Sequence, residues 1–292
     1  MSKTGSAAKV KLNSFDDLFG TEQPQTGTEQ VQEIALSELH EFKGHPFKVL
    51  DDEKMQETME SIREHGVLMP GIARPMKDGG YEIIAGHRRR HACELVGLTT
   101  MPMFIRDYTD DEATIIMVDS NIQREDILPS EKAKAYFMKY EAVKHQGKKG
   151  KGNSLDEVGE TAGESAKTVQ RYIYLAHLSD ALLDMVDKKK IGIVQGVELS
   201  FLTEQQQEWV QVVLEETGVI ISTVQVSRLK EYGKSDELTL PMVRLILTEP
   251  KPIERKVTIK ADKISRYFPA DYSNEQLSLI HISEPTRLRC IS

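Results

Sequence analysis

Cysteine is nearly absent from this chain of 292 residues, which contains only two. Cys93 and Cys290 lie far apart in the sequence and have no neighbours of the metal-ligand type. This spacing argues against a disulfide framework and against a zinc site. Because Cys93 falls on the apolar side of a predicted helix, we expect it to be a small buried side chain.

The chain also lacks a long uncharged apolar stretch, and its first residues show no charged segment followed by an apolar one. Neither a membrane span nor a secretory signal is therefore expected. Hydrophobic residues make up 39% of the chain and charged residues 29%, which is typical of a soluble globular protein. These features favour a folded cytoplasmic protein.

An excess of positive charge is missing as well, since the formal net charge is −8. Proteins that coat nucleic acid indiscriminately rely on Lys and Arg to neutralise phosphates, so this class is disfavoured. A site-specific DNA-binding protein remains compatible with the composition, because the local charge decides such binding. The segment 144–151 carries four lysines and no acid, among them Lys148 and Lys149. It fits a contact with the DNA backbone and, equally well, a flexible linker.

The pattern of apolar residues divides the chain into five segments. Residues 1–32 are poor in large apolar side chains and are expected to form a disordered tail. Residues 33–128 alternate between strand-like runs and amphipathic helices, whereas helical spacing dominates residues 129–235. Residues 236–276 are interpreted as a partial C-terminal domain. Residues 277–292 resemble a translated cloning adapter and are treated as a non-native tail.

Local signals within the second segment predict individual elements. Asp51 or Asp52 can cap a helix whose apolar residues recur at three and four positions. The strand-like runs 72–75 and 81–85 flank a cluster of turn-forming residues. The sequence therefore predicts a helix followed by a β-hairpin.

The most informative motif is an arginine-rich turn that follows the second of these strands. Its sequence is Gly86-His87-Arg88-Arg89-Arg90-His91-Ala92. A helix N-terminus carries partial positive charge and normally favours acidic residues, so three arginines there call for an anion. Backbone N–H groups and guanidinium groups together suit a phosphate. The alternative is a helix that simply begins with exposed basic residues.

A second polar cluster occupies residues 119–126, at the end of another predicted helix. Such side chains either cap a helix junction or line a ligand pocket. Alone, the cluster favours a cap. Together with the arginine-rich turn, it predicts that Asn121 and Arg124 complete a phosphate and metal pocket from the far side.

Residues 155–173 show helical spacing with one interruption, which predicts a helix-turn-helix. Gly163 permits a left-handed turn, and Gly159 allows the two helices to approach closely. The exposed face of the second helix then offers side chains that could reach base edges or phosphates in a major groove. These are Ser165, Lys167, Thr168, Gln170 and Arg171. Many helix pairs bind nothing, and the spacing alone does not decide between a DNA-binding helix pair and a purely structural one.

The order of these motifs over about residues 32–200 resembles the ParB/Spo0J/Noc family of DNA-partition proteins. The resemblance rests on short motifs at residues 34–36, 45–47, 62–66, 85–92 and 121–126, followed by the helix-turn-helix. It implies an α+β fold, in which a small mixed α/β domain of the ParB and sulfiredoxin type precedes an all-helical DNA-binding domain. It also implies CTP and Mg2+ as ligands, a palindromic centromere-like DNA site and a sliding clamp in plasmid, mobile-element or chromosome segregation. The implied partners are a second copy of the chain in a homodimer and a ParA-type ATPase bound by the N-terminal tail. The implied location is the nucleoid in the cytoplasm, with no membrane contact.

The same resemblance implies roles for individual residues. Gly86, Arg88 and Arg89 would hold the CTP phosphates, and Asn121 and Arg124 would lie at the nucleotide, with Asn121 also at the metal. His87 and Ser120 belong to the same site, but they stand where the family usually has Glu. Because carboxylates suit magnesium and water positioning, we expect CTP binding rather than efficient hydrolysis, with at most a weak CTPase activity. A small shift of helix register would let Asp119 take the place of the missing acid.

Two other functions are compatible with the sequence. One is a phosphotransfer enzyme or nuclease built on the same scaffold. A redox-repair enzyme like sulfiredoxin is disfavoured, because the turn has no cysteine beside Gly86 and Cys93 is misplaced for that chemistry. The other is a helix-turn-helix transcriptional regulator without nucleotide switching.

Overall fold

The computed structural model describes residues 31–124, 126–146 and 154–249. Contacts between Cα atoms group the described residues up to Thr248 into one compact unit. Its N-terminal part is a mixed α/β layer and the rest is helical. The predicted fold class is therefore confirmed.

The described part of the N-terminal layer contains a five-stranded mixed sheet with the strand order β1-β5-β3-β4-β2. β5 runs antiparallel to β1 and parallel to β3, while β4 runs antiparallel to β3 and parallel to β2. The bounds are β1 Val31–Ala35, β2 Leu39–His40, β3 Gly71–Pro75, β4 Tyr81–Ala85 and β5 Thr100–Ile105. A short 3-10 helix, Leu36–Glu38, joins β1 to β2. Since β1 starts at Val31, the predicted tail boundary at residue 32 lies two residues too far along the chain.

Three helices belong to this layer, α1 Glu53–His65, α2 His87–Val96 and α3 Asp110–Asn121. Asp52 caps α1 by accepting the backbone N–H of Met55, and Thr109 caps α3 with a capping box. The β3–β4 hairpin is confirmed by its antiparallel register.

The helical part follows directly. Its described helices are α4 Pro129–His145, α5 Ser154–Glu160, α6 Ala166–Leu175, α7 Asp180–Asp187, α8 Ile193–Leu199, α9 Glu204–Thr217, α10 Thr223–Lys234 and α11 Leu240–Thr248. Leu238, Val243 and Leu247 are buried in the same apolar cluster as residues of α7 to α10. The predicted boundary at residue 235 therefore falls inside a continuous core, which extends through α11.

One apolar core joins the two layers. It contains Ile84 of β4 and Met117 of α3 together with Tyr136 of α4 and Val169 of α6. The predicted boundary between residues 128 and 129 thus separates two patterns of secondary structure but not two cores. A shared, close-packed core can transmit small displacements between the layers, because packed interiors have low compressibility.

Two further predictions concern residues outside the sites. Cys93 is fully buried on α2, as expected, whereas Cys290 lies outside the described residues. Over the described ranges, no helix is both long enough and apolar enough to cross a bilayer.

Candidate nucleotide pocket and DNA-reading helix

An open cavity of about 180 Å³ lies where the turn between β4 and α2 faces the C-terminal end of α3. The loop that follows β2 closes a third side. The residues that line it are His45, Phe47, Lys48, Val49, Ala85, Gly86, His87, Arg88, Arg89, Ser120, Asn121 and Arg124. The structure therefore brings together all seven residues that the sequence assigned to a cofactor site.

Gly86 forms the floor of the cavity. Its φ of 112° is in the left-handed region, and an added Cβ would lie 3.2 Å from the Cα of Gly71. No side chain caps the N-terminus of α2, and no acid occupies its first turn. The first N–H groups of this helix therefore lack the side-chain acceptor that usually satisfies them.

Arg89 is a half-buried cation of the pocket. Its Nη1 donates to the carbonyl oxygens of Met69 and Pro70, the latter at 2.9 Å. Burial lowers the pKa of the Arg89 guanidinium. No carboxylate pairs with it among the described residues, so a charge that is costly to desolvate has only neutral partners.

The other basic residues of the turn differ in their pairing. Arg88 donates to Asp52 Oδ1 at 2.5 Å, and this hydrogen bond holds the pKa of the Asp52 carboxyl below its ordinary value. Arg90 pairs with Glu94 at 2.8 Å and does not line the cavity. Only Arg88 and Arg89 of the three arginines therefore contribute to the pocket.

Two stacked imidazoles form one wall. The ring centroids of His45 and His87 are 3.9 Å apart, and the planes are tilted by 37°. His45 Nδ1 donates to the Phe47 carbonyl at 2.8 Å, and the buried Nε2 atoms of both rings have no hydrogen-bond partner among the described residues. Burial lowers the pKa of His45, and burial with His45 and Arg90 nearby lowers the pKa of His87 to about 3. Both rings are therefore neutral at physiological pH.

The opposite wall consists of the end of α3 and the residues after it. Asn121 Nδ2 and Ser120 Oγ both donate to the Met117 carbonyl, at 2.9 and 3.0 Å. Arg124 is exposed and has no ion-pair partner among the residues described. The prediction that Asn121 and Arg124 face the arginine-rich turn across a pocket is consistent with this geometry.

The shift of helix register that would let Asp119 take the place of the missing acid is not present. Asp119 Oδ1 accepts a 2.6 Å hydrogen bond from the buried Lys139, and Asp119 is not among the lining residues. Among the described residues, the lining supplies hydroxyl, amide and imidazole groups but no carboxylate. No group of three or more His, Cys, Asp or Glu side chains suited to a metal occurs in the described ranges. This set of donors does not fit Mg2+, which protein sites bind through carboxylates.

The helix-turn-helix consists of α5 and α6. A Cβ on Gly159 would lie 2.4 Å from the carbonyl oxygen of Glu164, so only glycine allows this approach. Gly163 has a φ of 66°, as the predicted left-handed turn requires. Val169 is fully buried and the ring of Tyr172 packs edge-on against Tyr136 of α4, so α6 is fixed to the core.

The outer face of α6 is polar and carries no acid. Ser165, Lys167, Gln170 and Arg171 are exposed, and Thr168 is half-buried. Ser165 is the N-cap, since its Oγ accepts the Thr168 N–H at 3.3 Å. The five predicted side chains therefore lie at the start of α6 or along it, whereas Lys148 and Lys149 lie outside the described residues.

Sequence reasoning missed part of the pocket. His45 and Phe47 belong to a motif that carried the family resemblance, but nothing local assigned them to the cavity, and Lys48 and Val49 gave no signal. These residues reach the pocket through contacts distant in sequence. One such contact is the 2.8 Å hydrogen bond from the Lys48 N–H to Glu131 of α4.

Comparison with known proteins places this geometry in context. The sequence family model described as "ParB N-terminal domain" matches residues 20–122 of this chain. The "Probable chromosome 1-partitioning protein ParB" of Deinococcus radiodurans is 32% identical over 212 residues, which cover 73% of this chain and 70% of that protein. The "Chromosome-partitioning protein Spo0J" of Thermus thermophilus is 29% identical, over 80% of each chain.

A solved structure is also similar. It is the C-terminally truncated chromosome-partitioning protein ParB from Caulobacter crescentus, complexed with CTP-gamma-S. It is 25% identical to this chain, with a TM-score of 0.31, and the match covers 69% of this chain and 98% of that one.

Proposed function

The chain belongs to the ParB family of partition proteins, and from this premise we propose that it is a site-specific DNA-binding protein whose N-terminal pocket binds CTP as a switch. The observation that carries the proposal is the pocket between the arginine-rich turn and the end of α3. Half-buried Arg89 has no anionic partner there among the described residues, although a charge that is partly removed from water is stabilised by one. A phosphate group would supply that partner.

The pocket has the groups that a nucleotide phosphate needs. Gly86 allows close approach to the uncapped N–H groups of α2, and the Arg88 and Arg89 guanidiniums can form charge-assisted hydrogen bonds. Asn121, the last residue of α3, and Arg124, three residues after it, line the opposite side. Binding would require Arg88 to exchange Asp52 for a phosphate, which would loosen the link between α1 and α2.

In this proposal the nucleotide shifts a population of conformations and does not drive chemistry. A ligand moves an equilibrium by its difference in affinity for the two states. Because the pocket shares a core with the helix-turn-helix, a state favoured by CTP can differ in its DNA-binding surface. The absence of a carboxylate from the described lining supports binding over hydrolysis, since the remaining candidate bases are imidazoles whose pKa values are lowered by burial, which makes them weak bases.

In DNA segregation, this nucleotide switch would control how the protein binds DNA. We propose that α6 reads a palindromic site as part of a homodimer, that the CTP-bound dimer closes into a sliding clamp, and that residues 1–32 engage a ParA-type ATPase. The exposed polar face of α6 has the size and chemistry to enter a major groove. Lys148 and Lys149 would add contacts to the DNA backbone.

Calorimetry of the full chain tests the proposal, with CTP added in the presence and absence of a palindromic DNA site. Arg88→Ala should abolish measurable CTP binding and spare DNA binding, because only the pocket loses a cation. Arg171→Ala should do the reverse. Lys134→Ala, which removes an exposed cation paired with Asp180, is the matched control and should change neither.

The same titrations separate the alternatives. DNA binding without any CTP binding by the unaltered chain would contradict the switch and favour a plain transcriptional regulator. Rapid release of phosphate from CTP would favour an enzyme on this scaffold. Topological trapping on closed DNA only when CTP is present would support the clamp.

A further inference from the structure

We propose that this pocket binds its nucleotide without a divalent cation, with the protein's own cations neutralising the phosphates. The inference rests on the proposed CTP binding and concerns how the same site handles charge. It replaces the expectation, drawn from the family resemblance, that Asn121 holds Mg2+.

Three described carboxylates beside the pocket are already engaged elsewhere. Asp119 accepts a hydrogen bond from Lys139, and Asp52 accepts one from Arg88. Glu131 accepts the backbone N–H groups of Lys48 and Leu128, at 2.8 and 3.1 Å. Freeing any of them for a metal would leave a buried lysine, an arginine or backbone donors without a partner.

An imidazole stands where the family usually has a carboxylate. His87 is neutral, and its ring stacks on His45. Mg2+ is a hard cation that binds oxygen ligands and gives up its water reluctantly, so a neutral imidazole is a poor replacement. Ser120 is the second residue that stands where the family usually has Glu. Its hydroxyl already donates to the Met117 carbonyl.

The cations of the lining are correspondingly underpaired. They are Lys48, Arg88, Arg89 and Arg124. Only Arg88 has an ion-pair partner among the described residues, and that partner, Asp52, is not part of the lining. A free triphosphate is more negative than its Mg2+ complex, so it is the form that best matches such a site.

This charge balance also predicts the effect of adding Mg2+. A cation chelated by the phosphates would screen their attraction to the arginines without gaining a protein carboxylate. We therefore expect CTP to bind at least as tightly with excess EDTA as with excess Mg2+ when the ionic strength is held constant. The two dissociation constants should differ by no more than about threefold.

Isothermal titration calorimetry of the full chain with CTP tests this, once with EDTA and once with MgCl2. Affinity that is kept in EDTA supports the inference. Binding in MgCl2 with a loss of about tenfold or more in EDTA overturns it but leaves the proposed nucleotide binding intact. Binding in neither buffer overturns the proposed function itself.

A second experiment asks whether an added carboxylate makes CTP binding depend on Mg2+. Ser120→Glu places a carboxylate at an exposed position of the pocket rim, and His87→Glu places one on the opposite wall. Each should weaken CTP binding in EDTA by about tenfold and recover it on addition of Mg2+. His65→Glu makes the same change of residue at an exposed position outside the lining and should do neither.

Circular dichroism of each variant verifies the fold before titration. Since Ser120 is exposed, its variant keeps the test informative if the substitution at His87 unfolds the domain. A folded Ser120→Glu protein whose affinity stays equal in EDTA and Mg2+ would contradict the charge argument, because a new carboxylate would then have had no effect.

Discussion

Lys139 Nζ donates a 2.6 Å hydrogen bond to Asp119 Oδ1 in the interior between α3 and α4. Lys139 is 3% exposed, and its ammonium also donates to the Val158 carbonyl and to Thr161 Oγ1, at 3.3 and 3.2 Å. Asp119 immediately precedes Ser120 of the pocket, and Val158 lies in α5 of the helix-turn-helix. One buried ammonium therefore connects the proposed nucleotide wall to the DNA-binding module.

Replacing this lysine should destabilise the protein strongly. Lys139→Met leaves Asp119 as a buried charge without its partner, which costs about 3–5 kcal/mol in comparable pairs. The double variant Lys139→Met/Asp119→Leu removes both charges and should regain most of that loss. Urea unfolding of the four proteins of this cycle gives the coupling energy. A double variant no more stable than Lys139→Met would contradict this account of the pair.

The folded double variant also tests communication between the sites. If the ammonium carries the coupling, CTP and DNA should each still bind, but CTP should no longer change the affinity for DNA. The measurement is DNA affinity with and without CTP, compared with the unaltered chain. Unchanged coupling would show that the shared apolar core transmits the effect without Lys139.

Asp52→Asn should tighten CTP binding. Asn caps a helix about as well as Asp, so α1 keeps its N-terminal hydrogen bond, while Arg88 loses its competing carboxylate. We expect affinity to rise about threefold, the size of a partly exposed ion pair. Asp180→Asn, which removes an exposed ion pair with Lys134, should leave CTP affinity unchanged. Weaker binding by Asp52→Asn would show that Asp52 positions Arg88 for the phosphate.

The histidine stack should make stability depend on pH. The pKa of His87 is about 3 in the folded protein and near 6.5 when unfolded, so between these values the unfolded chain binds the extra proton. Stability is therefore complete above pH 6.5 and decreases as the pH falls, by about 2 kcal/mol at pH 5. His87→Gln should flatten the curve in urea unfolding at several pH values, whereas His65→Gln, at an exposed position, should not.

Gly159→Ala should lower the affinity for DNA in a protein that still folds. Its Cβ would lie 2.4 Å from the Glu164 carbonyl oxygen and 2.9 Å from Val169 Cγ2, so α6 must shift. Overpacking of this kind costs about 1–3 kcal/mol. Gly163→Asn is the control, since Asn tolerates a left-handed φ and an added Cβ meets nothing within 4 Å. We expect DNA affinity to fall in the first variant only, measured by fluorescence anisotropy.

The sequence predicted those features that local chemistry determines. The cap at Asp52, the β3–β4 hairpin and the turn at Gly163 each follow from one or two residues whose preferences agree with the fold. The arginine-rich turn was recognisable as an anion site because it contradicts the helix dipole.

Contacts between distant residues explain what the sequence did not reveal. The sequence left Asp119 available to replace the missing acid after a register shift, because its partner Lys139 lies 20 positions away and looks like any polar residue of a helix. His45 reaches the pocket by stacking on His87, across 42 positions, and leaves no periodic signal. The apolar core also extends beyond residue 235, where the helical spacing was taken to end, because Val243 and Leu247 are buried against helices earlier in the chain.

Substitutions on α6 should divide the DNA contacts into two classes. Gln170 is exposed, and its only described hydrogen bond is a 3.3 Å contact to Tyr174 of the same helix, so its amide is available to a base edge. Gln170→Ala should cost about 1–3 kcal/mol on the specific site and little on random DNA. Lys167→Ala, which removes an exposed charge near the start of α6, should weaken binding to both and reduce the salt slope by about 1.

The two classes are distinguished by measuring affinity for specific and random DNA at several salt concentrations. Lys134→Ala, on α4 and paired with Asp180, is the matched control for loss of an exposed lysine. If Gln170→Ala weakened both DNAs equally, α6 would contact only phosphates. The helix would then position the protein on DNA, and sequence reading would have to come from another part of the chain, because phosphate contacts carry no base information.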